Sequence, residues 1–444
     1  MVTSCVNGVD DEYLELSNLG GGTTDGEGEE EQLPDLNGDY SIEGDYELVM
    51  TCNGEPLEGK KVVMAVDETN ESATITFAAA ETDLESVIGL IPGGGLIAGM
   101  GLKYTGNSPV PGVKEITVTN VPLFKKGTGY MFKGGDIQPT YTMAFVGEVD
   151  NQKLTIDINY ELANQTLAGT WKLQKPNLTT SATNSITMAP LWYDWNTNLH
   201  IKFGTINIEV PEWGMTMPVN IDTYTPNELF QLLVMLSPSM LNMFDVQEEI
   251  SKLLQSITAM PNGSLYATYA WDSDISNPDR WSSNMGRNII RYYYGEEEDR
   301  IYVEVDGQFI ANTIKSIITS APATRSVEDE LKALGTKLVE TLKPALENGI
   351  PCTYKLNGNK LDINIDGEFL LKALKVIGEV GNNEVANSFL IGMLKSDATI
   401  GAYADNIDVF LKRLPDLLTY TDEGRNGTMS GECKYVKIGL HLEK

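Results

Sequence analysis

Histidine is almost missing from this chain of 444 residues: His200 and His441 are the 2 it has. That leaves little for imidazole-based catalysis and nothing for a His-rich zinc site. Cysteine is nearly as scarce. The 4 copies are Cys5, Cys52, Cys352 and Cys433, and no two form a Cys-x-x-Cys pair, so thioredoxin-like or thiolate-metal chemistry has no support. Positive charge is also short, with 32 Lys and Arg against 63 Asp and Glu and a net charge of −31. Such a surface repels phosphate backbones, which argues against nucleic-acid binding. No apolar run reaches the ~18 residues of a membrane-spanning helix. No G-x-S-x-G, H-E-x-x-H, Walker or G-x-G-x-x-G element stands in its required context, so no catalytic residue, metal or cofactor is expected.

What is present is unevenly placed. Residues 1–40 hold acids from Asp10 to Asp39 and no Lys or Arg; the first Lys is Lys60. Gly20 to Glu31 contains no apolar residue, so the segment cannot offset its ordering entropy and is expected to be a flexible, extended tether. In front of it, Val2-Thr3-Ser4-Cys5 resembles the bacterial lipobox, and the acids behind it resemble the tethers of Bacteroidetes surface lipoproteins. The resemblance implies acylation of Cys5, a membrane partner through that anchor, and an outer-membrane address, with the given chain starting inside the export signal. The alternative is an incidental Cys in a solvated tail.

Residues 38–175 read as β. Alternating runs separated by turns such as Asn53-Gly54 and Asp150-Asn151 predict a sandwich or barrel. A capping box at Thr82 to Glu85 predicts one short helix within it. Leu36-Asn37-Gly38-Asp39-Tyr40, the hairpin Met143 to Ile158 and Gly169-Thr170-Trp171-Lys172-Leu173 resemble the calycin-like (lipocalin-like) domain of uncharacterised Bacteroidetes lipoproteins. In lipocalins the Gly-x-Trp lies on the first strand; here it comes last.

After a polar linker at 176–190, residues 191–444 carry an internal repeat. Asp299 to Ile318 aligns without gaps to Asn359 to Gly378, matching Asp306 with Asp366, Gly307 with Gly367 and Phe309 with Phe369. Each copy reads as a strand that stops at Asp-Gly and turns helical. A helix with the stripe Leu331, Leu334, Leu338 and Leu342 follows the first copy. An earlier copy opens at Thr225, Pro226 and Glu228 and continues into a second helix over 246–257. The expected fold class is therefore α+β: residues 1–37 a lipobox remnant and acidic tether, 38–175 a calycin-like barrel or sandwich, 176–190 a linker, and 191–444 an α+β domain of repeated strand–helix–helix–strand units. Its helices would bury Phe230, Phe309 and Phe369.

Few residues point to chemistry. Trp192, Tyr193 and Trp195, with Asp194 between them, form an aromatic cluster that can stack on a sugar; strand core is the plainer reading. Asp272 to Asn277 lacks the Gly and Glu of a calcium loop. Asp306 and Asp366 read as helix caps. The expectation is a non-enzymatic, lipid-anchored envelope protein that binds a small amphipathic or glycan ligand or an envelope partner. A glycan hydrolase with two carboxylates in a cleft is the competing reading, and a surface module without a pocket the third. An apolar cavity without paired acids favours binding; carboxylates ~5–10 Å apart in an aromatic cleft favour the enzyme.

Overall fold

The computed structural model describes residues 35–41, 44, 46–83, 103–174, 191–195, 205–210, 215–220, 246–270, 276–283, 288–307, 309, 337, 340–396, 404–422 and 429–444. Cys5 and its tether, the linker 176–190, the helix expected after Asp83, and the segment carrying Thr225, Pro226, Glu228 and Phe230 lie outside them. From Leu36 to Lys444 the chain is one compact unit, mostly of strands.

The first half contains β1 (Gly38–Ser41), β2 (Glu47–Cys52), β3 (Glu55–Pro56), β4 (Lys60–Val66), β5 (Ser72–Ala79), β6 (Glu81–Asp83), β7 (Lys103–Thr105), β8 (Glu115–Lys126), β9 (Gly129–Ile137), β10 (Tyr141–Asp150) and β11 (Lys153–Leu162). Pairing runs β1-β4-β5-β8-β9-β10-β11-β2-β3. A bridge between Tyr40 of β1 and Tyr46, just before β2, closes the ring, giving a closed barrel of 8 strands with the short β3 paired outside it on β2. The cause is visible in β10 and β11, whose residues alternate buried and exposed along their length. Their turn is made by Asn151 at φ 47° and Gln152 at φ 67°, the left-handed geometry that suits a two-residue hairpin.

Side chains fill this barrel. Phe145 stands edge-on to Phe77 and Phe132 at centroid distances of 5.0 and 6.2 Å. Space for the rings comes from Gly134 and Gly147, where an added Cβ would stand 2.6 Å from Phe145 and 2.3 Å from Phe132.

The second half contains β12 (Gly169–Leu173), β13 (Leu191–Trp195), β14 (Thr205–Val210), β15 (Met215–Asn220), α1 (Val246–Leu253), β16 (Leu254–Ala259), β17 (Ser264–Ala270), β18 (Trp281–Ser282), β19 (Ile290–Tyr294), β20 (Arg300–Val305), β21 (Ile350–Asn357), β22 (Lys360–Ile365), α2 (Gly367–Asn382), α3 (Glu384–Ser396), α4 (Ala404–Leu418), β23 (Thr419–Asp422), β24 (Met429–Glu432) and β25 (Val436–Glu443). A 10-stranded sheet runs β12-β16-β17-β19-β20-β21-β22-β25-β13, with β18 on β17. β12 also pairs β25, Lys172 opposite Glu443 and Leu173 opposite Leu442, so the sheet curls round until it meets itself. Leu371 and Leu374 of α2 pack with Leu414 and Leu418 of α4 against Val436 at one end of this sheet.

Several local expectations change. Gly169-Thr170-Trp171 pairs in the curled sheet; the barrel is already closed and offers no free edge beside β11. The helix expected over 246–257 stops at Leu253, and Leu254–Ala259 is a strand between β12 and β17. Its two strand partners outweigh its helical spacing. Asn262-Gly263 turns the β16–β17 hairpin, with Gly263 at φ 76°. Thr82 and Asp83, expected to open a helix, pair with Tyr104 and Lys103.

Repeated strand–helix–helix–strand units are not shown: among the described residues, three helices and a small hairpin separate β22 from β25. The aligned Asp-Gly positions do share a local role. Asp306 Oδ1 accepts from the Phe309 N–H at 3.0 Å, and Asp366 Oδ1 from Glu368 and Phe369 at 3.1 and 3.0 Å, as helix caps do.

Candidate functional site

Alternation fixes which side chains the curled sheet turns inward. Trp171, Ile257, Tyr292, Ile301, Leu361 and Leu440, with their inward neighbours, wall a cavity of about 330 Å³. That is within the size range of small-molecule pockets. No Asp, Glu, Lys, Arg or His lines it among the described residues. Polar atoms of the wall are committed elsewhere. Trp171 Nε1 donates to the Leu167 carbonyl at 2.7 Å, and the Tyr292 hydroxyl donates to the Met260 carbonyl at 3.3 Å. Asn364 donates to the Ile365 carbonyl at 2.9 Å and accepts from the Thr353 hydroxyl at 3.0 Å. What remains facing the space is almost wholly apolar.

The two ends differ. At one, Leu167 and Trp171 are buried, and the Lys444 ammonium lies 4.2 Å from the Trp171 ring centroid. At the other, Ile365 and Ile438 line the space, and Ile438 also touches the cluster of α2 and α4. The wall includes Cys352. Burial, reinforced by the charge of Asp366, pushes its thiol up to about 12, which makes it a poor nucleophile at neutral pH. Cys52, Cys352 and Cys433 are all buried.

A second, polar recess lies between the barrel and the curled sheet. Lys60, Tyr104, Asn107, Arg291, Glu304 and Asp306 line a space of about 30 Å³. Burial, with the Arg291 charge adding to it, lowers the Lys60 ammonium to about 7, against the pull of Glu304 and Asp306. A lysine poised near neutrality is what amine catalysis needs. Here the space holds about one water; the Tyr104 hydroxyl has no hydrogen-bond partner among the described residues, while Lys60, Arg291 and Glu304 are spent on one another or on nearby backbone and amide groups. Lys60 Nζ donates to the Asn107 carbonyl at 2.8 Å, Arg291 pairs with Glu304 at 3.2 Å and donates to Pro109 at 2.5 Å, and Glu304 accepts from Asn107 and from the Gly112 N–H. Nearby, the Asn288 amide reaches the carbonyls of Cys52, Glu55 and Pro56 at 3.1 to 3.2 Å. These contacts stitch the two sheets together.

Of the residues singled out in the sequence, Cys5 lies outside the described residues, as do His200 and Asp272 to Ile275. Trp192, Tyr193 and Trp195 sit on edge strand β13, opposite Gly439, Ile438 and Val436. His441 Nδ1 is 2.6 Å from Asp362 Oδ1. Both occupy positions that alternate with the cavity wall residues Leu361, Ile363, Leu440 and Leu442, so this pair is on the opposite face of the sheet. Trp171 is the functional candidate that the motif reading passed over. Its signal was present in the inward sets Ile301 and Val303, Leu361 to Ile365, and Ile438 to Leu442, but sheet closure cannot be read from any one strand.

Compared with known proteins, the chain matches no family model, no curated protein and no solved structure.

Proposed function

We propose that this protein is a non-enzymatic binding protein for a small apolar ligand, carried in the curled sheet and tethered to a bacterial envelope membrane through an acylated Cys5. One observation carries the binding part: the apolar cavity of about 330 Å³ with no charged wall residue among the described residues. Hydrolysis of a glycan needs two carboxylates facing the substrate, and the described residues of this wall supply none. The filled barrel, resembling the calycin-like domain, then serves as a rigid platform fixed by the Lys60–Arg291–Glu304 seam. The aligned Asp-Gly helix starts are the trace of a repeat behind the curled half.

The tether part draws on the lipobox resemblance and the acidic tail. Several acyl chains hold a protein firmly, because each buried methylene adds ~0.8 kcal/mol, and a solvated acidic leash keeps the body off an anionic surface.

Binding is tested with a dye that fluoresces in apolar surroundings, such as N-phenylnaphthylamine. The parent protein should enhance its emission saturably, and Val303→Phe, which puts a ring into the cavity, should abolish the effect without loss of fold. Equal enhancement by both would remove the cavity from the account. The anchor is tested separately: the gene expressed with its upstream region should incorporate a fatty-acid analogue, and a Cys5→Ala variant should not. Label retained in that variant would end the anchoring claim.

A further inference from the structure

We infer that Trp171 is the end-stop of the cavity and sets the longest hydrocarbon chain it accepts, the ligand being a single unbranched alkyl or acyl chain whose methyl end meets the indole. This rests on the binding reading above. A barrel-like ring of about eight strands leaves an interior wide enough for one slender ligand, and here the space runs from Trp171 to Ile365 and Ile438. No charged side chain among the described residues lines it, so an ionised head group inside would be desolvated without a partner. The head therefore stays at the helix end or is neutral.

The indole is held in place. Its Nε1 donates to the Leu167 carbonyl at 2.7 Å, and the Leu167 N–H donates to the Tyr294 hydroxyl at 2.9 Å. Lys444 sits over the ring and is itself tied to the Ala168 carbonyl at 2.8 Å. β12, which carries the tryptophan, is the strand through which the sheet closes, between β16 and β25. The ring thus has the cavity on one side and an exposed lysine on the other. Removing the indole lengthens the space toward Lys444. Leu361, which lines the cavity and whose strand neighbour Leu442 pairs beside β12, narrows the same end if enlarged.

The experiment is displacement of N-phenylnaphthylamine by straight-chain alcohols from hexanol to hexadecanol. For the parent, affinity should rise about fourfold per added methylene and then stop rising at a definite length. In Trp171→Phe and Trp171→Leu the stop should move to longer chains, and in Leu361→Phe to shorter ones. A stop at the parental length in all three variants overturns the proposal. Should the tryptophan variants fail to fold, Leu361→Phe decides alone, and an unmoved stop refutes the end-stop. If the parent shows no displacement at any length, the failure belongs to the binding reading.

Discussion

The two halves of this protein enclose space in the same way and use it oppositely. Each bends a sheet until its ends meet, by the Tyr40–Tyr46 bridge in one case and by β12 against β25 in the other. The barrel spends its interior on phenylalanine and makes room for the rings with Gly134 and Gly147. The curled sheet is walled largely by Leu, Ile and Val together with Trp171 and Tyr292, and keeps about 330 Å³ unfilled. Dispersion contacts are lost on the empty side of every wall residue, so the hollow half forgoes stability that the filled half retains. The chain thus keeps a hollow body beside a packed one of similar strand number.

The sharpest way to break that contrast is to carve carbon from both halves. Phe145→Ala, deep among Phe77 and Phe132, should cost ~3–5 kcal/mol in urea denaturation. Leu361→Ala, on the cavity wall, should cost near the lower limit of the ~2–5 kcal/mol seen for leucine truncations, because fewer neighbours lose a contact. Equal costs would mean the cavity is filled in solution. Next in size is the seam. Arg291→Met strands Glu304, only 9% exposed, and should cost ~3–5 kcal/mol. Adding Glu304→Met should recover part of that; no recovery would mean the pair acts through packing alone.

Adding carbon reverses the comparison. Gly147→Ala drives a Cβ to 2.3 Å from Phe132 and should destabilise by ~1–3 kcal/mol. Val303→Phe in the cavity should leave the melting temperature unchanged or raise it. A loss in both would show that the two interiors are equally packed.

The sequence showed much of the barrel and less of the cavity. The Met143–Ile158 hairpin was legible because strict alternation and Asn151 pin its register locally. Asp306 and Asp366 were legible as caps for the same reason: their partners lie two or three residues away. Trp171 was visible as a residue and invisible as a site. Its partners are Leu167 and Lys444, and the latter is brought across by a strand pairing that no local pattern encodes. Leu254–Ala259 was misread because its helical spacing is equally good, and only β12 and β17 on either side decide for a strand. Lys60 was noticed as the end of an acidic stretch; its burial between the halves depends on the loop carrying Asn107.

That buried lysine makes the seam sensitive to pH. Its folded value, about 7, is below the ordinary 10.5. Below about 7 both folded and unfolded chains hold the proton and stability is flat. Between there and 10.5 only the unfolded chain holds it, so stability rises with pH. Cys52, raised from 9.0 to about 11 by burial, works against this above pH 9, since the unfolded thiol ionises first. The clean measure is the stability of Lys60→Met relative to the parent. Its advantage should be greatest below about pH 7 and shrink steadily toward pH 10; a constant gap would mean the lysine is not neutralised by folding.

The smallest effect separates the hairpins of the two halves. In the barrel, the β4–β5 turn is gathered by the Asp67 carboxylate, which accepts from the Ser72 hydroxyl, the Glu71 N–H, the Thr69 hydroxyl and the Ser72 N–H at 2.8 to 3.0 Å. Those bonds pull its value down from 3.8 to about 2. A depressed carboxylate contributes stability that is complete above its ordinary value and is lost as pH falls through the folded one. In the curled sheet the β21–β22 turn relies on Gly358 at φ 62° and has no acid between Asn357 and Lys360. Thermal melts should therefore show the gap between parent and Asp67→Asn at full size above about pH 4 and closing toward pH 2. The gap between parent and Gly358→Ala should stay constant over the same range, because backbone strain at a left-handed position carries no proton. If both gaps closed together, acid would be loosening the whole unit and the Asp67 web would have no separate part in holding its turn.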